Sequence, residues 1–205
     1  MNRRLIYVFL CITLLSFFSC SKEYDDEITN LQYKDAMYSM SAGKFAGTWW
    51  INGEKVEDGS SGVCLEPSGV KNCDMLSFGQ SGFPSESVVK QLFPDTDISE
   101  LSIELVSGGY IVLQRMGYSD NMIYYSSGED YVQHQLQITD KSDHRFVLVL
   151  VYAPSETTVS LGLTSHTLSI GLVIKQIEII DEIGNKTVRD LDSKMNLTFI
   201  GKINN

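Results

Sequence analysis

Apolar and polar residues alternate with a period of two along most of the chain after residue 45, which is the pattern of β-strands. In YVQHQLQIT, residues 131–139, His134 and Leu136 share one face and three glutamines occupy the other. The segment FVLVLVY, residues 146–152, is apolar on both faces, which predicts a central strand. Such segments recur about every ten residues between Gly, Asp, Asn or Ser turns, as in sandwiches and barrels.

One segment of this region has a helical pattern instead. SESVVKQLF, residues 85–93, places Val88, Val89 and Leu92 on one face, with Ser85 as the predicted N-cap. Asn52-Gly53 predicts a tight hairpin, and no βαβ alternation is present. We therefore expect an all-β domain, a single antiparallel sandwich or barrel with one short helix near 85–93.

The first 19 residues have the features of a secretory signal. Arg3 and Arg4 precede an apolar run, residues 5–18, which is shorter than the roughly 20 residues of a membrane span. Residues 20–44 are polar and acidic, and a weak apolar stripe predicts a short helix over about 26–40 within them. The expected organisation is a signal peptide at 1–19, an acidic tether at 20–44 and an all-β domain at 45–205.

Ser19-Cys20, at the end of the apolar run, resembles the lipobox of bacterial lipoproteins. The following residues, SKEYDDE, resemble the acidic export segment of Bacteroidota surface lipoproteins. The resemblance implies lipidation of Cys20 and anchoring in the outer membrane facing the cell exterior, with the periplasmic face as the alternative. It also relates the mature domain to the small all-β lipoproteins of that group. The other interpretation is an ordinary signal peptide with an incidental cysteine.

The net charge of the chain makes some kinds of binding partner less favourable than others. The chain carries 16 basic and 26 acidic residues, and loss of Arg3 and Arg4 with the signal peptide changes the net charge from −10 to −12. Such a charge argues against nucleic acid, because that affinity depends on neutralised phosphates. It fits a soluble domain displayed at a surface.

Two cysteines, Cys64 and Cys73, remain in the domain, which is expected to lie in an oxidising compartment. With Ser68-Gly69 at the centre of a hairpin turn, residue 64 pairs with residue 73, and the two thiols lie within disulfide reach. The sequence therefore predicts a Cys64–Cys73 disulfide, with two free thiols as the alternative.

The segment KFAGTWWI, residues 44–51, resembles the first conserved stretch of lipocalins, a Gly-x-Trp motif on the first strand. The motif here is Gly47, Thr48 and Trp49. The resemblance implies a calycin-like barrel with an internal ligand, in which Trp49 closes one end. The alternative is a tryptophan that packs in an ordinary β-core.

Aromatic residues are concentrated between residues 110 and 131. Tyr124 and Tyr125 are adjacent, so they point to opposite faces of a strand and one of them should be exposed. Exposed aromatic rings beside polar groups bind sugars or proteins. The predicted binding residues are Tyr118, Tyr124, Tyr125, Tyr131 and Trp49; the alternative is that these aromatics only reflect strand propensity.

The sequence contains no catalytic or phosphate-binding motif and no metal-ligand spacing among His134, His144 and His166. We expect His134 to be a buried, hydrogen-bonded core residue, and we expect no cofactor and no metal. Three functions remain open: a module that binds glycan or another surface protein, a lipocalin-like carrier of a small apolar ligand, and a hydrolase with scattered carboxylates.

Overall fold

The computed structural model describes residues 34–39, 41–70, 72–106, 110–127 and 133–204. The chain divides into two compact units, Met1–Met40 and Ser41–Asn205. In the first unit the described residues form a helix, α1 (34–39), inside the segment that was predicted to be helical. The predicted signal peptide, Cys20 and the acidic residues after it lie outside the described residues.

The second unit is an antiparallel β-structure with one α-helix among the described residues, which confirms the predicted fold class. The helix is α2 (Ser85–Leu92), and short 3-10 turns occur at Ile98–Glu100 and Pro154–Glu156. The strands are β1 (Gly43–Ile51), β2 (Glu54–Val56), β3 (Ser61–Pro67), β4 (Cys73–Phe78), β5 (Ser102–Leu105), β6 (Tyr110–Ser119), β7 (Met122–Ser127), β8 (Gln133–Thr139), β9 (Arg145–Tyr152), β10 (Thr158–Gly162), β11 (Thr167–Ile180) and β12 (Lys186–Ile203).

The strands form one sheet that closes on itself. Pairing runs in the order β10-β7-β6-β4-β3-β1-β12-β11, and β11 pairs with β10 to complete the ring. Closure of this kind removes the exposed strand edges that an open sheet would carry. The ring is the barrel form of the predicted fold.

The remaining strands continue the sheet beyond one end of the ring. β11 pairs with β10 through residues 167–171 and then with β9 through residues 174–180, and a bulge lies within the second stretch, between Ile174 and Gln176. β8 and β5 follow β9 in the order of the sheet. β9 therefore has a neighbour on each side, as its two apolar faces predicted.

Local sequence signals account for several of these elements. Asn52 and Gly53 have φ angles of 50° and 86° and join β1 to β2 as a two-residue turn with positive φ at both positions. In β8, His134, Leu136 and Ile138 are buried while the glutamines alternate with them, as predicted. The segments KTVRDL and MNLTFIGKI both belong to the single strand β12.

Gly47 is required by the close approach of β1 and β12. A Cβ atom at this position would lie 2.3 Å from the carbonyl oxygen of Ile200 and 2.4 Å from the Cα of Gly201. Backbone atoms cannot yield as a flexible side chain can, so no larger residue fits here. This contact gives a structural reason for the glycine of the Gly-x-Trp motif.

Helix α2 begins differently from the prediction. Pro84 occupies the N-cap position, and Ser85 is the first helical residue, so the prediction of Ser85 as the N-cap is wrong. The helix is capped instead by Asp58, which lies in a neighbouring loop. The Asp58 carboxylate accepts hydrogen bonds from the backbone N–H of Ser87, at 3.2 Å, and from the Ser87 hydroxyl. Val88, Val89 and Leu92 are buried, as the apolar face of the helix predicted.

An aromatic cluster forms the core beside this helix. Trp49 is fully buried, and its ring centroid lies 5.1 Å from that of Phe199 and 5.8 Å from that of Phe83. The indole Nε1–H of Trp49 donates to the carbonyl of Gly82 at 3.1 Å, which satisfies its only polar group. Phe78 contacts Trp49, Phe83 and His134, so residues of β1, β4, β8 and β12 meet at this point.

His134 is the polar member of the cluster. It is 1% exposed, and its Nδ1 lies 2.7 Å from the hydroxyl oxygen of Tyr152, whereas Nε2 has no partner among the described atoms. Burial lowers the pKa of His134 to about 3, so the imidazole is neutral at pH 7. This confirms the expectation of a buried, hydrogen-bonded core histidine.

The buried imidazole makes stability depend on pH in a defined direction. The folded-state pKa lies below the ordinary value of about 6.5, so the stabilisation is fully present above pH 6.5 and is lost as the pH falls toward 3. We expect the His134→Phe/Tyr152→Phe double variant to lose less free energy of unfolding than the parent between pH 7 and pH 4, measured by urea titration. His144→Gln, at an exposed histidine, should not reduce the loss, because the hydrogen bond with Asp140 raises the pKa of His144 and this pair therefore stabilises the fold at acid pH. Equal losses in the parent and the double variant would contradict the assignment.

Candidate functional site

Exposed apolar side chains are concentrated on the outer face of β6 and β7. Tyr110, Val112, Met116 and Tyr124 are 52%, 46%, 65% and 47% exposed, and they are half of the large exposed apolar side chains in the described part of the chain. We call these four residues the tyrosine face. A group of exposed apolar side chains on adjacent strands is typical of a binding surface, whereas single exposed residues need no explanation.

The strand pattern and one bulge produce this face. Tyr110 and Val112 alternate with Ile111 and Leu113, which are fully buried. Met116 is the extra residue between Arg115 and Gly117 in the pairing of β6 with β7, and its Sδ accepts a hydrogen bond from the Ser126 hydroxyl at 3.1 Å. The bulge therefore adds a flexible apolar side chain beside Tyr124, since Tyr124 pairs with Gly117.

An uncharged row of small side chains continues from Tyr124 across the ring. Tyr124 pairs with Ser160, Ser160 with Ser169, Ser169 with Ile200, and Ile200 with Thr48. Directly paired residues share a face, so these side chains form one row on the outer surface. Tyr124 and the half-exposed Ile200 lie three strand spacings apart, about 14 Å, with two serine hydroxyls between them.

The predicted binding residues do not form one cluster. Tyr124 is exposed, whereas Tyr125 is 6% exposed on the inner face, as expected for adjacent strand residues. Trp49 is fully buried in the core, and Tyr118 is half-buried and paired with Ile123. Tyr131 lies outside the described residues. Alternation could have identified Tyr110 and Val112 as outward-facing, but Met116 and Ile200 join the surface through a bulge and a distant strand pairing.

The inner face of the same strands carries an ion pair. Arg115 donates to both carboxylate oxygens of Asp74, each at 2.8 Å, and the Asp74 side chain is fully buried while that of Arg115 is 19% exposed. Two parallel hydrogen bonds give this pair a fixed geometry. The carboxylate of Asp74 is therefore engaged by the guanidinium and is not available as a free acid or base.

Ser41 and His166 form a second polar contact that has a structural role. The Ser41 hydroxyl donates to the carbonyl of Leu163 at 2.9 Å, and its oxygen lies 3.0 Å from His166 Nδ1. The only hydroxyl proton goes to the carbonyl, so Nδ1 donates to Ser41 and does not act as its base. Ser41 is also fully buried, which excludes it from a substrate in this arrangement.

Other kinds of site have no counterpart within the described ranges. No group of three or more His, Cys, Asp or Glu side chains there is arranged to hold a metal ion. Across those same residues, the helices are all too short or too polar to cross a membrane.

Comparison of the chain with protein-family models, with curated proteins and with solved structures finds no match.

The two cysteines do not face each other across the β3–β4 hairpin. Cys64 pairs with Ser77, and Pro67 pairs with Asp74, so the predicted register is wrong by four residues. The turn is wider than expected because Asn72 adopts a positive φ of 60° and Ser68 bonds to the carbonyl of Cys73 through both its N–H and its hydroxyl. Cys73 lies four residues from the partner of Cys64, about 13 Å along the strand, which exceeds disulfide reach. Both thiols are free.

Cys64 is also a poor nucleophile. Burial, with the hydrogen bond from Sγ to the Glu66 carboxylate at 3.1 Å, raises the pKa of Cys64 to about 11. The reactive thiolate is therefore scarce at neutral pH.

We expect Cys64 and Cys73 both to be alkylated in the unreduced protein, as measured by mass spectrometry of the peptides, with Cys64 the slower one at pH 8.5. Glu66→Ala should increase the Cys64 rate several-fold, because it removes both the hydrogen bond and the nearby negative charge. Glu57→Ala, at an exposed acid, is the matched control. A protein without free thiols, or a Cys64 rate unaffected by Glu66→Ala, would contradict this interpretation.

Proposed function

We propose that this chain is a lipid-anchored bacterial surface lipoprotein whose β-domain binds a neutral glycan through the tyrosine face. The single observation that carries the binding function is the grouping of Tyr110, Val112, Met116 and Tyr124 on two adjacent strands. The anchor has a separate basis, which is the N-terminal sequence.

The anchor is supported by the order of the N-terminal features. A basic start and a short apolar run end at Ser19-Cys20, and an acidic segment, residues 23–27, follows. Acyl chains on Cys20 would each add about 0.8 kcal/mol of membrane affinity per buried CH2 group. The acidic segment favours the outer face of the outer membrane, and the periplasmic face is the alternative.

A neutral sugar fits the tyrosine face better than a charged ligand. The ring of Tyr124 provides an apolar surface for the C–H faces of a sugar, and Ser126, Ser160 and Ser169 provide hydroxyl groups for its edges. The row from Tyr124 to Thr48 contains no charged residue. A chain with net charge −12 after signal removal also repels anionic ligands.

The two other functions have weaker support. A carrier of the lipocalin type needs space inside the ring, whereas Phe45, Phe199 and Leu65 are large, fully buried side chains of the ring strands. A hydrolase needs available carboxylates, and the buried Asp74 is held by Arg115.

The anchor can be tested by fractionation of cells. We expect Cys20→Ala to move the protein from the membrane to the soluble fraction, because the variant lacks the thiol that would be acylated. Cys64→Ala, which keeps Cys20, should remain in the membrane fraction. A Cys20→Ala protein that stays with the membrane would exclude the lipoprotein assignment.

Glycan binding can be tested with the purified protein on an array of neutral glycans. Loss of a well-packed aromatic anchor commonly costs 2 kcal/mol or more, so we expect Tyr124→Ala to weaken binding about 30-fold or more. Ile183→Ala removes a side chain that is 84% exposed on a different surface, and it should bind like the parent. A cooperative thermal unfolding transition in each variant would verify that it is folded.

Two results would contradict the proposal. Absence of binding to every glycan would exclude sugar as the ligand and favour a protein partner. Equal binding by Tyr124→Ala and Ile183→Ala would place the binding site elsewhere.

A further inference from the structure

Residues 186–190 of β12 lie along an open edge of the sheet. On one side they pair with β11, from Lys186 opposite Ile180 to Asp190 opposite Gln176. On the other side no strand of the described residues pairs with them, because β1 ends at Ile51, which lies opposite Leu197. All five residues are exposed, and Val188 is 52% exposed.

The register shows which backbone groups point to this edge. The N–H of Val106 donates to the carbonyl of Gln135, so odd-numbered residues of β8 direct their backbone polar groups toward β5. Along a strand, the backbone N–H and C=O groups of successive residues point alternately to the strand on one side and the strand on the other. Followed through the pairings of β8 with β9, β9 with β11 and β11 with β12, this rule directs the odd-numbered residues of β12 toward β11. The hydrogen bond from the N–H of Asp181 to the carbonyl of Asn185 agrees with this assignment. The residues whose N–H and C=O groups point outward are Lys186, Val188 and Asp190.

We propose that this edge pairs with the same edge of a second copy of the chain, antiparallel, about a two-fold axis at Val188. Val188 then lies opposite Val188 of the second copy, and Lys186 lies opposite Asp190 twice. Three outward-pointing pairs exchange six backbone hydrogen bonds, and opposite charges face each other on both sides of the axis. The contact is isologous, as in most homodimers.

The charge pattern selects this register over its neighbours. A shift by one step in one direction places Arg189 opposite Arg189, and a further step places Asp190 opposite Asp190. A shift in the other direction removes both opposite-charge pairs. Like charges directly opposite each other destabilise a strand pair, so only the register centred on Val188 has two favourable pairs and no unfavourable one.

The fold also limits the length of the contact. Ile174 of β11 pairs with Met195 and Gln176 pairs with Asp190, so residues 191–194 bulge out of the regular pairing and the regular edge ends at Asp190. Arg189 lines a cleft together with Gln91 and Leu92 of α2. Its side chain lies on the opposite face of the strand from Lys186, Val188 and Asp190, which form the proposed contact.

Cross-linking tests the register. In the full exported protein, we expect Val188→Cys to give a covalent dimer with dibromobimane, because paired Cα atoms lie about 5.5 Å apart. Asp192→Cys, also exposed on β12, lies in the bulge beyond the paired residues and farther from the axis, so it should give no more dimer than the parent with Cys64 and Cys73. Similar yields from the two variants, or no dimer from Val188→Cys, would overturn the proposal.

A charge swap tests the pairing of Lys186 with Asp190. On the Val188→Cys background, Lys186→Glu should lower the cross-linked fraction several-fold, because it places a second carboxylate opposite Asp190. Addition of Asp190→Lys should restore the fraction. Within each copy, Lys186 contacts Glu178 at 2.7 Å and Asp190 accepts a hydrogen bond from Gln176 at 2.8 Å. Loss of these internal contacts would not explain restoration of the cross-linked fraction by Asp190→Lys, and the thermal midpoint of each variant checks that it is folded. A fraction that Lys186→Glu leaves unchanged, or that Asp190→Lys does not restore, would overturn this register.

Discussion

The pairing of β11 with β12 is the constraint on which the rest of the sheet depends. A strand can pair along two edges, and β11 pairs with β12 along the whole of one edge. Along its other edge β11 pairs first with β10 and then with β9, which is possible only because β11 extends over 14 residues. The first half of this hairpin closes the ring, and the second half supports β9, β8 and β5. The change of neighbour falls between Gly171 and Ile174, and the bulge between Ile174 and Gln176 follows it.

The open edge of β12 follows from the same arrangement. β12 extends over 18 residues, but β1 covers it only from Leu197 to Ile203, because the Asn52-Gly53 turn reverses the chain. The reversed strand, β2, pairs with the other edge of β1 and therefore cannot continue along β12. Proteins commonly protect such an edge with charged side chains, and β12 carries both signs there. Whether mixed charges repel or attract a second copy depends on the register that the edges adopt.

Local patterns predicted the elements, but not the contacts that are distant in sequence. Alternation placed His134, Leu136 and Ile138 on the buried face of β8, and the Asn52-Gly53 signal placed the first hairpin. The Cys64–Cys73 hairpin shows where local signals fail: two turn geometries suit the segment after Pro67, and the bonds of Ser68 with Cys73 select the wider one. The ring is closed by pairing of β10 with β7 and β11, and β7 is distant from these two strands in sequence. Local patterns do not predict such a pairing, so the sequence did not distinguish a sandwich from a barrel.

In the candidate site, too, local patterns predicted some features and contacts distant in sequence determine the others. Adjacent tyrosines had to point to opposite faces, and the closed ring decides that Tyr125 is the inner one and Tyr124 the outer one. The row from Tyr124 to Thr48 joins five strands that are separate in sequence, so no linear motif could reveal it. The two proposed surfaces also complement each other in chemistry, since the tyrosine face is neutral and the β12 edge is charged. The dimer proposed at that edge would carry two tyrosine faces. Each bound sugar chain would then raise the effective concentration of the second face, so a weak single site could hold a polymeric glycan firmly.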